Sequence, residues 1–221
     1  MPMRWSAPVA MLSTLFLVSV GFGQDEIDSG EQLIKDFLRG TSTISGRFEQ
    51  QLVDANNNVI EESGGTLDIR RPGRFRWVYD DPYEQILVAD GLNMWSYDVE
   101  LEQVMVKAQS DALRSTPALL LGGSGDVLEE FNIDGAIEYR GVQWVQLRPK
   151  NTGGSFYKVE LGFTDGQLSR MLFGDNLDQT TLIALVDVSF NEPIADVVFR
   201  FTPPDGVDVI GAPVAEPVSD L

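Results

Sequence analysis

The sequence predicts one mainly β, antiparallel domain of about ten or eleven short strands with short helices attached. Three observations carry this. From Ile44 onward apolar and polar residues alternate at period two over most of the chain, as in strands with one buried face. Turn signals such as Asp54 to Asn58 and Asp90-Gly91 recur at short intervals. Apolar residues at helical spacing are confined to two places, and no repeat or long linker divides the chain. So many strands in a flat open sheet would leave unprotected edges, so a strongly curved sheet or incomplete barrel is expected.

The first segment reads as an address. Arg4 and the amino terminus form a positive start, Pro8 to Val20 is apolar, and Gly21-Phe22-Gly23 offers small residues for cleavage before Gln24. The run falls short of the roughly 20 residues that span a bilayer. Residues 1–23 are therefore expected to be a cleavable signal peptide. Ser29-Gly30-Glu31-Gln32 then reads as a capping box with Ser29 at the N-cap. Leu33, Ile34, Phe37 and Leu38 form the apolar stripe of the helix, and Gly40 stops it.

Strands follow. Ile44, Gly46, Phe48, Gln50 and Leu52 share one face of the first, and a second runs from Val59 through Leu67 and Ile69. In the third, Phe75, Trp77 and Tyr79 face one side and Arg74, Arg76 and Val78 the other. Gln85 to Ala89 and Met94 to Asp98 form a hairpin about Asp90-Gly91, with Val104 to Lys107 next. Between Gln109 and Glu130 the alternation breaks. There Thr116-Pro117 is an N-cap and N1 pair for a short helix through Ala118 to Leu121, ended by Gly122-Gly123, and Asp126 starts a further turn. Strands resume at Val142 to Arg148, Tyr157 to Phe163, Leu168 to Gly174, Thr180 to Phe190 and Val198 to Thr202. The domain is placed at 24–211, with 212–221 expected to be a disordered tail.

Composition removes several kinds of chemistry. With no cysteine there are no disulfides, thiolate nucleophiles or thiolate metal sites, and an exported chain without cysteine cannot carry a thioether-linked lipid. With no histidine the commonest general base and metal ligand are also missing, and a Ser–His–Asp triad is impossible. A formal charge of −18 argues against nucleic acid and against electrostatic docking to anionic lipid. No glycine-rich loop ends in Gly-Lys-Ser/Thr. The acidic pairs Glu61-Glu62, Asp80-Asp81 and Glu129-Glu130 read as solvated surface, because no local motif fixes two carboxyls around a sugar cleft. No catalytic residue, metal site or cofactor is assigned.

The informative stretch is Arg70-Arg71-Pro72-Gly73-Arg74-Phe75-Arg76-Trp77, which holds four of the 16 cations of an acidic protein. Arginines along an edge strand would block aggregation. Arg71 is different: it precedes proline at a strand entrance, where its guanidinium can donate up to five hydrogen bonds to exposed carbonyls. Helix C-termini and glycine-interrupted helices present such carbonyls. Arg71 could therefore latch a helical insert over the concave face, leaving an apolar cavity beneath. Phe75, Trp77 and Leu119 to Leu121 read equally as ordinary core.

Taken in order, these segments resemble the periplasmic outer-membrane lipoprotein carrier family, LolA. The matching pieces are Phe48-Glu49-Gln50, Arg71-Pro72-Gly73-Arg74-Phe75-Arg76-Trp77, Ile86-Leu87-Val88-Ala89-Asp90-Gly91 and Trp95-Ser96-Tyr97-Asp98. Glu102-Gln103-Val104, Thr116-Pro117-Ala118-Leu119-Leu120-Leu121 and Phe199-Arg200-Phe201-Thr202-Pro203-Pro204-Asp205-Gly206-Val207 complete the set. The resemblance implies an unclosed antiparallel β-barrel under a helical lid, with a hydrophobic cavity between them. It implies a monomeric periplasmic carrier that takes triacylated lipoproteins from an inner-membrane ABC transporter to an outer-membrane receptor, without enzymatic activity. Arg71 matches the family's lid latch. Phe75 matches a phenylalanine that contacts lipoprotein or transporter, and Trp77, Trp95, Leu119 and Leu120 match cavity or lid positions. Two departures stand out: Arg74 and Arg76 make this strand unusually basic, and the tail after Val209 is not expected to form the C-terminal strand of some members. The competing readings are a lipid- or lipoprotein-sensing domain of the same architecture, for which the chain has no room for a second domain, and a carboxylate-dependent hydrolase.

Overall fold

The computed structural model describes residues 24–110, 121–122, 127–151, 153–154 and 156–215. Helix α1 (Gln24–Gly40) leads into twelve strands: β1 (Thr43–Val53), β2 (Val59–Arg70), β3 (Arg74–Asp81), β4 (Gln85–Ala89), β5 (Asn93–Asp98), β6 (Gln103–Ala108), β7 (Phe131–Tyr139), β8 (Val142–Pro149), β9 (Phe156–Thr164), β10 (Gln167–Asp175), β11 (Thr180–Phe190) and β12 (Asp208–Ile210). Short 3-10 turns occupy Val127–Glu130 and Asp196–Phe199. One sheet holds every strand, in the order β12-β6-β5-β4-β3-β2-β1-β11-β10-β9-β8-β7. All neighbours are antiparallel except β12 on β6. Strands β12 and β7 end the order without meeting, so the barrel is unclosed.

The inward faces of nine strands contribute to one buried cluster with α1, which requires strong curvature. Period-two alternation produces this: Phe48, Leu67, Ile69, Phe75, Leu161 and Met171 point inward and are at most 4% exposed. Helix α1 covers β7 and β8 with its predicted stripe, burying Ile34 and Phe37, and Phe37 meets Phe163 edge-on at 5.5 Å. Gly30 lets the helix approach, since a Cβ there would lie 3.0 Å from that of Ala136. A smaller cluster lies on the outer face, where Val88, Trp95, Val104 and Val106 are covered by Phe201 and Val207.

Several boundaries differ from the sequence reading. Helix α1 begins upstream of the Ser29 box, because nothing in Gln24 to Asp28 breaks a helix. Strand β7 has no counterpart in the sequence expectation. The segment Val198 to Thr202, expected as a strand, is a 3-10 turn followed by extended chain without a ladder partner. The C-terminal strand does form, as β12. Beyond it, within the tail expected to be disordered, the Val214 backbone exchanges hydrogen bonds of 2.6 and 3.1 Å with the Asn93 side chain. The signal peptide, the Thr116-Pro117 turn and residues 216–221 lie outside the described residues.

Candidate functional site

The turn Arg71-Pro72-Gly73 joins β2 to β3 at one end of the sheet. Gly73 adopts a φ of 73°, which favours glycine, and this brings β3 back antiparallel. The turn lies against the end of α1 and against the helical residues 121–122. Arg71 Nε donates to the Leu121 carbonyl at 2.7 Å, and its Nη1 donates to the Leu38 carbonyl, in the last turn of α1, at 3.1 Å. Its guanidinium also lies 4.8 Å from the centre of the Phe37 ring. Burial pushes this guanidinium down to about 10, so it is still cationic at neutral pH and both bonds are charge-assisted. Gly73 N–H donates to the Gly122 carbonyl at 2.5 Å. The buried Gln109 side chain donates to Gly73 O at 2.6 Å and accepts from Gly91 N–H at 2.9 Å. The helical residues at 109–110 and 121–122 are thus tied to one turn.

Between Leu121 and the concave face lies an apolar cavity of about 340 Å³. Phe75, Trp77, Leu87, Met94, Leu121, Phe156, Met171, Phe173 and Ile183 line it. Its polar members are Gln50, Tyr79 and Thr181. Phe48 packs behind, with ring centres 4.5 Å from Trp77 and 5.1 Å from Tyr79. Burial raises the Tyr79 phenol above its usual value, against the opposing pull of the Trp77 and Gln50 side chains beside it. At Gln50 and Tyr79 the cavity adjoins an open groove of about 500 Å³ beside the β3–β4 and β5–β6 turns, lined by Glu61, Asp81, Glu84, Asp98 and Glu100. Among the described residues no cluster of three or more carboxylates is arranged to hold a metal, and no helix is long and apolar enough to cross a membrane.

The residues singled out in the sequence fare differently. Arg71 reaches the Leu121 carbonyl and the Leu38 carbonyl near the end of α1, and Phe75 and Trp77 face the cavity. Trp95 does not. It points to the outer face, 5.6 Å from Phe201, with Nε1 donating to Asp90 at 2.8 Å. Strand parity is the reason: Met94 takes the inward position, so its neighbour must face out. Leu119 and Leu120 lie outside the described residues. Of the two arginines that make this strand unusually basic, Arg74 is 3.7 Å from Asp196, which also pairs with Arg70 at 2.5 Å, so Arg70 and Arg74 hold the C-terminal segment. Sequence reasoning misses Met94, Met171 and Ile183 as lining residues, although period-two alternation with known inward residues would assign the last two.

Comparison with known proteins follows the same lines. Residues 39–202 match the family described as Outer membrane lipoprotein carrier protein LolA. An outer-membrane lipoprotein carrier protein of Nitrosomonas europaea is 40% identical over 184 residues, covering 82% of this chain and 89% of that protein. One from Halorhodospira halophila is 39% identical over 202 residues, covering 90% and 95%. Among solved structures, an uncharacterized conserved protein from Thermus thermophilus shares the fold with a TM-score of 0.52 at 13% identity, over 82% of this chain and 98% of that one.

Proposed function

The chain belongs to the LolA family of outer membrane lipoprotein carriers, and from that premise we propose that it is a periplasmic shuttle for acylated lipoproteins. It receives triacylated cargo from an inner-membrane ABC transporter and delivers it to an outer-membrane receptor, acting as a monomer. The acyl chains enter the apolar cavity, where Phe75 and Trp77 contact them, and Leu119 and Leu120 are assigned to the same contact. Arg71 acts as the latch.

The observation that carries this reading is Arg71 bonded to both covering segments across the edge of the cavity. At roughly 30 Å³ per methylene, close to a water's share of liquid volume, three chains of about 16 carbons need well over 1,000 Å³. All the empty space in the pocket, including what opens to solvent, comes to about 960 Å³. Cargo must therefore part the cover from the sheet, breaking the bonds Arg71 makes. That opposition is useful. Burying three such chains would release on the order of 40 kcal/mol at about 0.8 kcal/mol per methylene, whereas noncovalent affinities saturate near 20 kcal/mol. A carrier that gripped as tightly as a bilayer would never let go. Bonds re-formed on emptying make release downhill, and loading then draws on an external ATP-driven transporter, in keeping with a chain without a nucleotide motif.

Two experiments test this. Incubated with energised spheroplasts, the purified protein is expected to bring acylated lipoproteins into the soluble fraction; their absence would reject the carrier reading. Arg71→Leu is expected to load normally, retain its cargo and fail to transfer it, and normal transfer would reject the latch.

A further inference from the structure

Hydrogen-bond donors stand where the apolar cavity meets the open groove. There the Tyr79 hydroxyl donates to Gln50 Oε1 at 3.2 Å, which fixes the orientation of the Gln50 amide. The NH2 of that amide is left without a protein partner among the described residues. The indole N–H of Trp77, on the same strand as Tyr79 with ring centres 6.5 Å apart, is buried. It lies near enough to the Tyr79 oxygen to favour the phenolate, but not in the geometry of a hydrogen bond, and among the described residues it has no other partner. Buried donors are nearly always paired, so an unpaired one calls for an explanation. Their position is also particular. Gln50 and Tyr79 line both the cavity and the open acidic groove, so they mark the junction between an apolar interior and a polar exit.

An acylated ligand has its own junction at the same place. The hydrocarbon ends at an ester or amide carbonyl, an acceptor without a donor of its own on the ester, and the polar remainder continues beyond it. We propose that Gln50 and Trp77, with Tyr79 as the positioning residue for Gln50, form a collar that hydrogen-bonds the carbonyl at the head of an acyl chain. The hydrocarbon then lies in the cavity and the polypeptide leaves through the groove beside the Tyr83 and Leu101 turns. The Trp77 N–H is shielded in this structure, so a carbonyl reaches it only as the cover parts and Phe48, Trp77 and Tyr79 shift together. Such a collar sets the depth to which a chain inserts. It also makes the cavity selective for acyl chains over plain alkyl ones, because a chain without carbonyls would leave these donors unpaired while excluding water from them.

This inference rests on the carrier reading, and its test separates the two. The full-length protein is titrated with a synthetic triacylated lipopeptide, and with an analogue in which ether linkages and an alkylated amine replace the ester and amide carbonyls, each as a sub-micellar solution. The chain is expected to bind the acyl form about tenfold more tightly. In Gln50→Leu, and in Tyr79→Phe, which removes one oxygen and keeps the ring, that ratio is expected to fall towards one. Thermal melts verify that each variant folds. Equal affinity of the unmodified chain for both ligands, or a ratio untouched by both substitutions, would overturn the collar and leave the carrier standing. Failure to bind either ligand would remove both.

Discussion

Arg71 gives up much of its hydration to reach two carbonyls, and its planar fork is what lets one side chain address Leu121 and Leu38 together. A lysine there keeps the charge but not the fork. Arg71→Lys is accordingly expected to transfer cargo at a rate between those of the unmodified chain and Arg71→Leu, as measured by lipoprotein delivery to outer-membrane vesicles. Asp90 is the second residue with a defined electrostatic role. Burial would raise its carboxyl, but bonds from Trp95 Nε1, the Asn93 and Leu92 backbones and the Asn93 side chain together outweigh this and hold it below 3.8. Because the folded value is depressed, this stabilisation is fully present above pH 3.8 and is lost as pH falls through the lower folded value. Asp90→Asn should lower the melting temperature at pH 6 and flatten its decline below pH 4, which a series of melts against pH would reveal. A variant with the same steep acid limb as the parent would assign that limb elsewhere.

At the level of elements, the C-terminal segment acts as a strap. Asp196 is held by Arg70 and Arg74, Arg70 lies 4.9 Å from the Phe199 ring centre, and Phe201 and Val207 roof the outer cluster before β12 pairs with β6. Phe201 is only partly buried, so Phe201→Ala is expected to cost about 2 kcal/mol, below the 3–5 kcal/mol of a full core deletion, while leaving acyl binding intact. Denaturant titration with a ligand titration alongside measures both. Gly65 marks a different constraint: a Cβ there would overlap the Val78 carbonyl, at the register shift between β2 and β3. Gly65→Ala should therefore break this pairing and cost more than any surface substitution on the same strand, by the same denaturant measurement. These elements also show what a sequence can reveal. The inward face of Phe75, Trp77 and Tyr79 and the hairpin at Asp90-Gly91 are legible because period and turn chemistry are local. Strand β7 is not, since its register shifts between Ile133 and Gly135 and the alternation loses phase there. Val198 to Thr202 has strand-like composition, yet whether a strand forms depends on reaching a partner edge, and among the described residues this segment pairs with none. The orientation of Trp95 and the Arg74–Asp196 pair depend on which distant segments cover each face, which spacing alone does not encode.

For the whole molecule, a formal charge of −18 sits on an unclosed barrel whose described strand order ends at β12 and β7. Mutual repulsion opposes the folded form and keeps copies apart. Raising ionic strength from about 10 to 200 mM, which shortens the screening length to under 10 Å, is expected to raise the melting temperature by a few degrees. A fall would mean that ion pairs such as Arg148–Asp134 outweigh the net charge. The strand order has a further consequence, this one in time. The middle of the sheet is a seam between β1 and β11, with Phe48 opposite Leu185. Hairpins on either flank can form early from neighbouring segments, but joining them means closing a loop of well over a hundred residues. A polypeptide emerging amino end first therefore has no stitched centre until β11, at Thr180–Phe190, is free. Until then it remains two separate ribbons, slow to fold and easily threaded.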